Sequence, residues 1–329
     1  MSPCVSFPFM PPDLSVHGAA IDMLIVWVHI LMAVLFVGWG TFFVWTLVRF
    51  RHKRNPKADY GGVKSHASTY LEVAVAVIEG VLLVGLAIPL WADWVDELPD
   101  ESEAEVVRIV AQQFAWNAHY PGPDGKFGRV SIDLVDETLN PLGLDPDDEN
   151  GKDDLIAAQN QVAIPVNKPI LVHLTSKDVI HSFGIPVLRV KQDIIPGMTI
   201  PVGFEATKTS QQFKEEEAQR RYPDKTTVKE LADAVARKRA KAERQTLKKY
   251  AEEQEKSPAE VVQDVLGEAQ QAAQRNGWTV VRALQDMLIP HLEIACAQLC
   301  GAQHYRMRAY LHILEEDEFS EWLDQWKQE

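Results

Sequence analysis

The chain has 329 residues, a formal net charge of −14 and a sequence pI near 5.2. So acidic a balance leaves no basic footprint for nucleic acid, and three cysteines are too few for a framework of disulfides. The length allows two or three domains, and a mean hydropathy of −0.15 conceals two very apolar stretches.

The first stretch runs over 23–48 and carries one histidine and no charge. As a helix it reaches roughly 39 Å at ~1.5 Å per residue, enough to cross a ~30 Å hydrocarbon layer with some tilt. The second runs over 71–91, interrupted by Glu72 and Glu79. A buried core helix is the alternative for each, and uncharged length argues against it for the first. Between them lie Arg49, Arg51, Lys53, Arg54, Lys57 and Lys64 against Asp59, whereas Asp93, Asp96, Glu97, Asp100 and Glu101 follow the second. The positive-inside rule makes the loop cytoplasmic and puts both termini and the large C-terminal region outside. No small-residue cleavage site follows a short apolar core, so residues 1–95 are expected to be an N-terminal segment and a two-span hairpin in a bacterial-type plasma membrane.

From Val106 the pattern changes to short alternating runs broken by Pro and Gly. Runs beginning at Val107, Val130, Gln161, Ile170, Gly197 and Arg308 read as strands, and several at this spacing imply a Greek-key sandwich over 96–207 and 276–329. Ligating residues would then sit on loops at one end. His173 and His312 fall inside strand patterns and read as structural. Residues 134–155 form an acidic, Pro/Gly-rich, solvated loop.

Segment 208–275 breaks the pattern. It is rich in Ala, Glu, Lys, Arg and Gln, with 15 Lys and Arg against 13 Asp and Glu. Thr227 with Glu230, and Ser257-Pro258 with Glu260, look like helix starts, and Asn276-Gly277 like a stop. The spacing predicts two helices, about 228–255 and 258–275, inserted into the sandwich as a solvated decoration or a docking surface.

The most informative run comes last: Cys296-Ala-Gln-Leu-Cys300-Gly-Ala-Gln-His304-Tyr-Arg-Met307. Thiolate, imidazole and thioether form a soft set that favours copper, and structural zinc sites rarely recruit a thioether. A single blue-copper ion needs one thiolate, so two suggest a pair of coppers bridged by both sulfurs. A Cys296–Cys300 disulfide and half a zinc site are the competing readings.

A copper pair needs another imidazole, and Asp178-Val-Ile-His181-Ser-Phe followed by Pro186-Val-Leu-Arg-Val-Lys191-Gln-Asp193-Ile-Ile-Pro196-Gly197 supplies it. With the cysteine run, these blocks resemble subunit II of the haem–copper cytochrome c oxidases over about 13–204 and 286–314. The resemblance implies a membrane-anchored all-β fold: a two-helix transmembrane hairpin plus a cupredoxin-like Greek-key β-sandwich, here with an inserted α-helical hairpin. It makes His181 and His304 imidazole ligands of a dinuclear CuA centre, Cys296 and Cys300 bridging thiolates, and Met307 and the Gln298 carbonyl the weak ligands. Electrons would arrive from a c-type cytochrome on the acidic external face and pass to haem in subunit I. Phe114 and Trp116 stand where the family carries the aromatic patch that receives them, although many members have Trp at the first position. The acidic loop is a lesser docking candidate.

Departures from the family pattern matter too. Gln298 replaces a glutamate whose side chain reaches an interface magnesium, and a neutral amide is a poorer ligand for that hard cation. Met198 replaces a common arginine, and Glu79 a common proline. Glu72 matches a glutamate at the cytoplasmic mouth of a proton channel. No Cys-x-x-Cys-His occurs, so no c-type haem is expected in the chain. The copper ligands lost in quinol-oxidising relatives are all kept. The competing functions are a CuA subunit of a nitric oxide reductase and a membrane anchor holding a structural metal or disulfide. The 208–275 insert would serve a further subunit or complex.

Overall fold

The computed structural model describes residues 10–57, 60, 61, 65–96, 98–136 and 140–327; Cys4, Asp59, Lys64 and Glu97 lie outside them. The first apolar stretch forms α1 (Gly18–Arg49). The second forms α2 (Ala67–Leu82), passes through a π-helical turn at Leu83–Ala87 and ends in α3 (Ile88–Asp96). Both are longer than 23–48 and 71–91, because small and polar flanking residues continue the helix beyond the apolar window. Their apolar windows are 0% buried within the chain, so their Leu, Val, Phe and Trp side chains await an apolar surrounding. Together they make the two-helix anchor.

Ten strands build the rest of the anchored part: β1 (Glu105–Gln112), β2 (Ala115–Tyr120), β3 (Leu155–Ile156), β4 (Gln161–Pro165), β5 (Pro169–Ser176), β6 (His181–Ile185), β7 (Val190–Ile194), β8 (Ile200–Glu205), β9 (Leu292–Cys296) and β10 (Arg308–Leu314). One sheet has the order β3-β2-β1-β5-β8 and the other β4-β10-β9-β6-β7. The β1–β5 and β4–β10 pairs are parallel and the rest antiparallel. Alternation does the sorting. Val107, Ile109 and Ala111 of β1 and Ala309, Leu311 and Ile313 of β10 are buried, while Arg308 and Tyr310 between them face out. Each fully buried Val, Leu or Ile contributes roughly 1.5–3 kcal/mol.

Tyr120 closes one flank. Its hydroxyl donates to the Ala163 carbonyl at 2.9 Å and accepts from the Ala163 N–H at 2.9 Å, and its ring meets Phe319 and Trp322 of the final helix, Glu316–Asp324. Two contacts fasten the sandwich to the spans. Arg189, held at φ 55°, makes a bidentate pair with Asp22 at 2.7 and 2.8 Å, and Trp94 Nε1 donates to the Gly203 carbonyl at 3.0 Å.

Three expectations change. The run from Val107 through Trp116 is a hairpin that turns at Gln113-Phe114, not one strand. The run at Val130 gives a single bridge to Leu144 and a 3-10 turn at Ile132–Leu134 capped by Ser131, because no neighbouring strand offers it a ladder. The helix predicted over 228–255 is two. In chain order the helices are α4 (Ser210–Arg221), α5 (Val228–Ala242), α6 (Leu247–Glu253), α7 (Pro258–Asn276) and α8 (Val280–Leu288), with the final helix becoming α9. Arg244 at φ 56° breaks α5 from α6, and Thr246 caps the restart through the Lys249 amide. The capping boxes at Thr227/Glu230 and Ser257/Glu260 form as read, and Gly277 stops α7 at φ 66°. Helix formation also continues past 275. Ala283, Leu284 and Leu288 of α8 are buried with Leu231 and Val235 of α5 and Val261, Val262 and Val265 of α7.

Candidate metal centre

Sheet register brings the predicted donors together. Phe183 of β6 is paired with Cys296 of β9, so His181, two residues before Phe183, sits beside the end of β9 although 115 residues separate it from Cys296. Antiparallel β9 and β10 then close the site from the other side, with the Cys296 N–H donating to the Met307 carbonyl at 3.1 Å. The connection between them carries Cys300 and His304. The His304 N–H bonds the Gly301 carbonyl and the Met307 N–H bonds the His304 carbonyl, each at 3.1 Å, which fixes this tight loop.

Cys296 and Cys300 are free and buried, with sulfurs 3.8 Å apart. This is far beyond the ~2.05 Å of a disulfide. Each sulfur faces its own imidazole: His181 Nδ1 is 3.8 Å from Cys296 Sγ, and His304 Nδ1 is 3.6 Å from Cys300 Sγ. The remaining donors are divided between the two sides. Met307 Sδ lies 3.7 Å from Cys300 Sγ, and the Gln298 carbonyl oxygen lies 3.1 Å from Cys296 Sγ. His181, Cys296 and Cys300 present donor atoms all within 4.8 Å of one another. Two sulfurs, with two imidazoles, a thioether and one carbonyl oxygen around them, match what two copper ions require.

Asp178 orients the first imidazole. Its Oδ1 accepts from His181 Nε2 at 2.9 Å, which leaves Nδ1 free to face the sulfurs. Oδ2 accepts the Gln113 N–H at 2.7 Å, and Oδ1 the Val179 N–H at 2.6 Å. Burial opposes ionisation of this carboxyl, but His181 and the two amides outweigh it and hold it below the usual carboxylate range. Burial and the neighbouring Cys296 push the Cys300 thiol up to about 11. A bound cation would reverse that preference.

The other predicted residues fall in different places. Phe114 is half-buried, and its ring lies against Gly301, where a Cβ would come within 3.0 Å of it. Trp116 corrects the expected contact surface: it is 0% exposed, inside the sandwich, with its ring 6.3 Å from that of His181. It therefore packs behind the site rather than receiving a partner. Glu72 is exposed near the start of α2, at the end of the span remote from the sandwich. His173 pairs with Glu101 at 3.2 Å and His312 with Gln161 at 2.8 Å. Asp178 and Gln113 went unassigned from sequence. The spacing of Asp178 three residues before His181 is a usable signal; Gln113 has none, because its partners come from loops distant in sequence.

Comparison with known proteins adds a family. Residues 106–215 match the model of the cytochrome c oxidase subunit II periplasmic domain. The match ends in α4, so the cysteine loop lies beyond it. The alternative cytochrome c oxidase subunit 2 of Bradyrhizobium diazoefficiens is 34% identical over 170 residues, 49% of this chain and 59% of the relative. Cytochrome c oxidase subunit 2 of Cyanidium caldarium is 31% identical over 205 residues, 60% of this chain and 71% of the relative. The chain thus spans little more than half the length of the first relative. The crystal structure of the periplasmic domain of subunit II of cytochrome oxidase from Bradyrhizobium japonicum aligns with 70% of this chain and 96% of its own at 20% identity and a TM-score of 0.33.

Proposed function

Because this chain belongs to the cytochrome c oxidase subunit 2 family, we propose that it is the electron-accepting subunit of a membrane-bound respiratory oxidase. His181, His304, Cys296, Cys300, Met307 and the Gln298 carbonyl would hold a dinuclear CuA centre. When bound, that centre supplies one-electron transfer with little change of geometry. The observation that carries the reading is the pair of free thiols 3.8 Å apart, each faced by its own imidazole. A structural zinc would have no use for the buried Met307.

The chain's own residues do the rest. Asp178 holds the His181 tautomer, and the sandwich excludes water from the sulfurs. The half-buried ring of Phe114, lying against Gly301, and the exposed Leu299 and Tyr305 of the β9–β10 connection offer apolar surface to a donor. The acid of the external region steers a basic c-type cytochrome to it. Electrons leave for haem in subunit I, with the sandwich and both termini on the periplasmic side, as the basic loop at Arg49–Lys57 supports. Glu72 is a proton-intake candidate at the opposite membrane face. Gln298 weakens the interface magnesium. The charged helices over 208–275 would serve a further subunit.

The test is an EPR and visible spectrum of the full chain in detergent after loading with copper. We expect a purple form with one unpaired electron shared over two coppers. A one-copper signal, or colourless protein retaining zinc, would overturn the proposal.

A further inference from the structure

The two halves of the site come from different parts of the fold. His181 and Asp178 belong to the approach to β6, whereas Cys300, Gly301 and His304 belong to the β9–β10 connection. One residue bonds to both. Gln113, at the tip of the β1–β2 hairpin, donates its backbone N–H to Asp178 Oδ2 at 2.7 Å, and its side-chain amide donates to the Cys300 carbonyl. The donors lie 65 and 187 residues from their acceptors in sequence. The tip fits closely: a Cβ on Gly301, whose φ is 142°, would stand 2.8 Å from Gln113 Nε2 and 3.0 Å from the Phe114 ring. The absent side chain at 301 is what lets the hairpin reach the loop.

We propose that Gln113 is a positioning residue that sets the separation of the His181 side from the Cys300–His304 side of the metal centre; the inference rests on the copper reading above. Its backbone bond fixes the carboxylate that orients His181. Its amide fixes the carbonyl of the residue that carries the second thiol. Hydrogen bonds of this kind hold ligands at one geometry, and losing them typically lowers metal affinity 10–100-fold. Gln113 is itself exposed, so removing its side chain leaves the core filled.

Full-length wild type, Gln113→Ala and Gln113→Glu would be loaded with copper in detergent. The glutamate keeps the size but sets an acceptor against the Cys300 carbonyl. For both variants we expect copper held 10–100-fold more weakly against a competing chelator and an altered hyperfine pattern in the EPR spectrum. The metal-free proteins should melt at the wild-type temperature. Wild-type retention and hyperfine splitting in both variants would overturn the inference and leave the copper reading intact. An equal loss of melting temperature in the metal-free forms would also overturn it, by making the contact general packing. Failure of the wild type to take up two coppers would remove the copper reading and this inference with it.

Discussion

His312 on β10 gives the strongest pH prediction. Its Nε2 lies 2.8 Å from Gln161 Oε1 and its ring faces Trp322 at 6.3 Å. Beyond it, where α4 and α8 meet the sandwich, Lys214 bonds Asp286 and stands 3.1 Å from His291 Nδ1. Burial, reinforced by His291 and Lys214 and opposed only by Asp286, lowers His312 from 6.5 to about 4. The unfolded chain therefore binds a proton below about pH 6.5 that the folded chain refuses until about pH 4. The associated stability is fully present above pH 6.5 and drains away as pH falls towards 4. A shift of about two and a half units corresponds to roughly 3 kcal/mol. His291, lowered by burial and by Lys214, acts in the same direction. Guanidinium unfolding of the full chain in detergent, followed by tryptophan fluorescence at several pH values from 4 to 7.5, should show this loss. His312→Gln, which stays neutral and can still donate to Gln161, should lose about 3 kcal/mol less than wild type over that range. Parallel stability curves for the two proteins would refute the argument.

Other substitutions should act locally. Tyr120→Phe strips both hydrogen bonds from Ala163 and should cost about 1–3 kcal/mol in the melting of the metal-free protein. Gly301→Ala forces a side chain into the space held by Gln113 and Phe114 at a φ of 142°. It should reduce copper taken up per chain at least several-fold with the far-ultraviolet circular dichroism unchanged. Arg189→Ala breaks the partly buried pair with Asp22 and should raise hydrogen exchange across 11–22 and 186–194, with a cost of about 1.5–3 kcal/mol. No change in exchange there would show that the pair does not fasten the sandwich to α1.

The parts legible in the sequence were those with strong local signals. Apolar length marked the spans, capping boxes marked the starts of α5 and α7, and the cluster of Cys296, Cys300, His304 and Met307 stood out by composition. What stayed hidden depends on distant partners. The strand expected at Val130 alternates well but meets no neighbouring strand. Helix α4 buries Phe213, Lys214, Glu217 and Ala218, of which only two are apolar, too few to register as a periodic apolar face. The burial of Trp116 and the reach of Gln113 follow from a hairpin turn placed against two other loops. No window of sequence contains both ends of such a contact.

The chain leaves the sandwich at the end of β8 and returns at the start of β9, both at the end opposite the paired thiols, since β6 begins at His181 and β9 finishes at Cys296. The excursion over 206–291 is thus an appendix to a closed frame. For a floppy tether, lengthening a connection from roughly six residues to this span would cost only about 2 kcal/mol in chain entropy, and a tether that folds on itself is constrained further by its own packing. Helix α4 packs against that end, where the Ser210 hydroxyl accepts the Ile313 N–H at 2.8 Å, while the opposite end of the frame stays remote from the splice. A folded module is thus carried at the end of the sandwich away from residues 296–307.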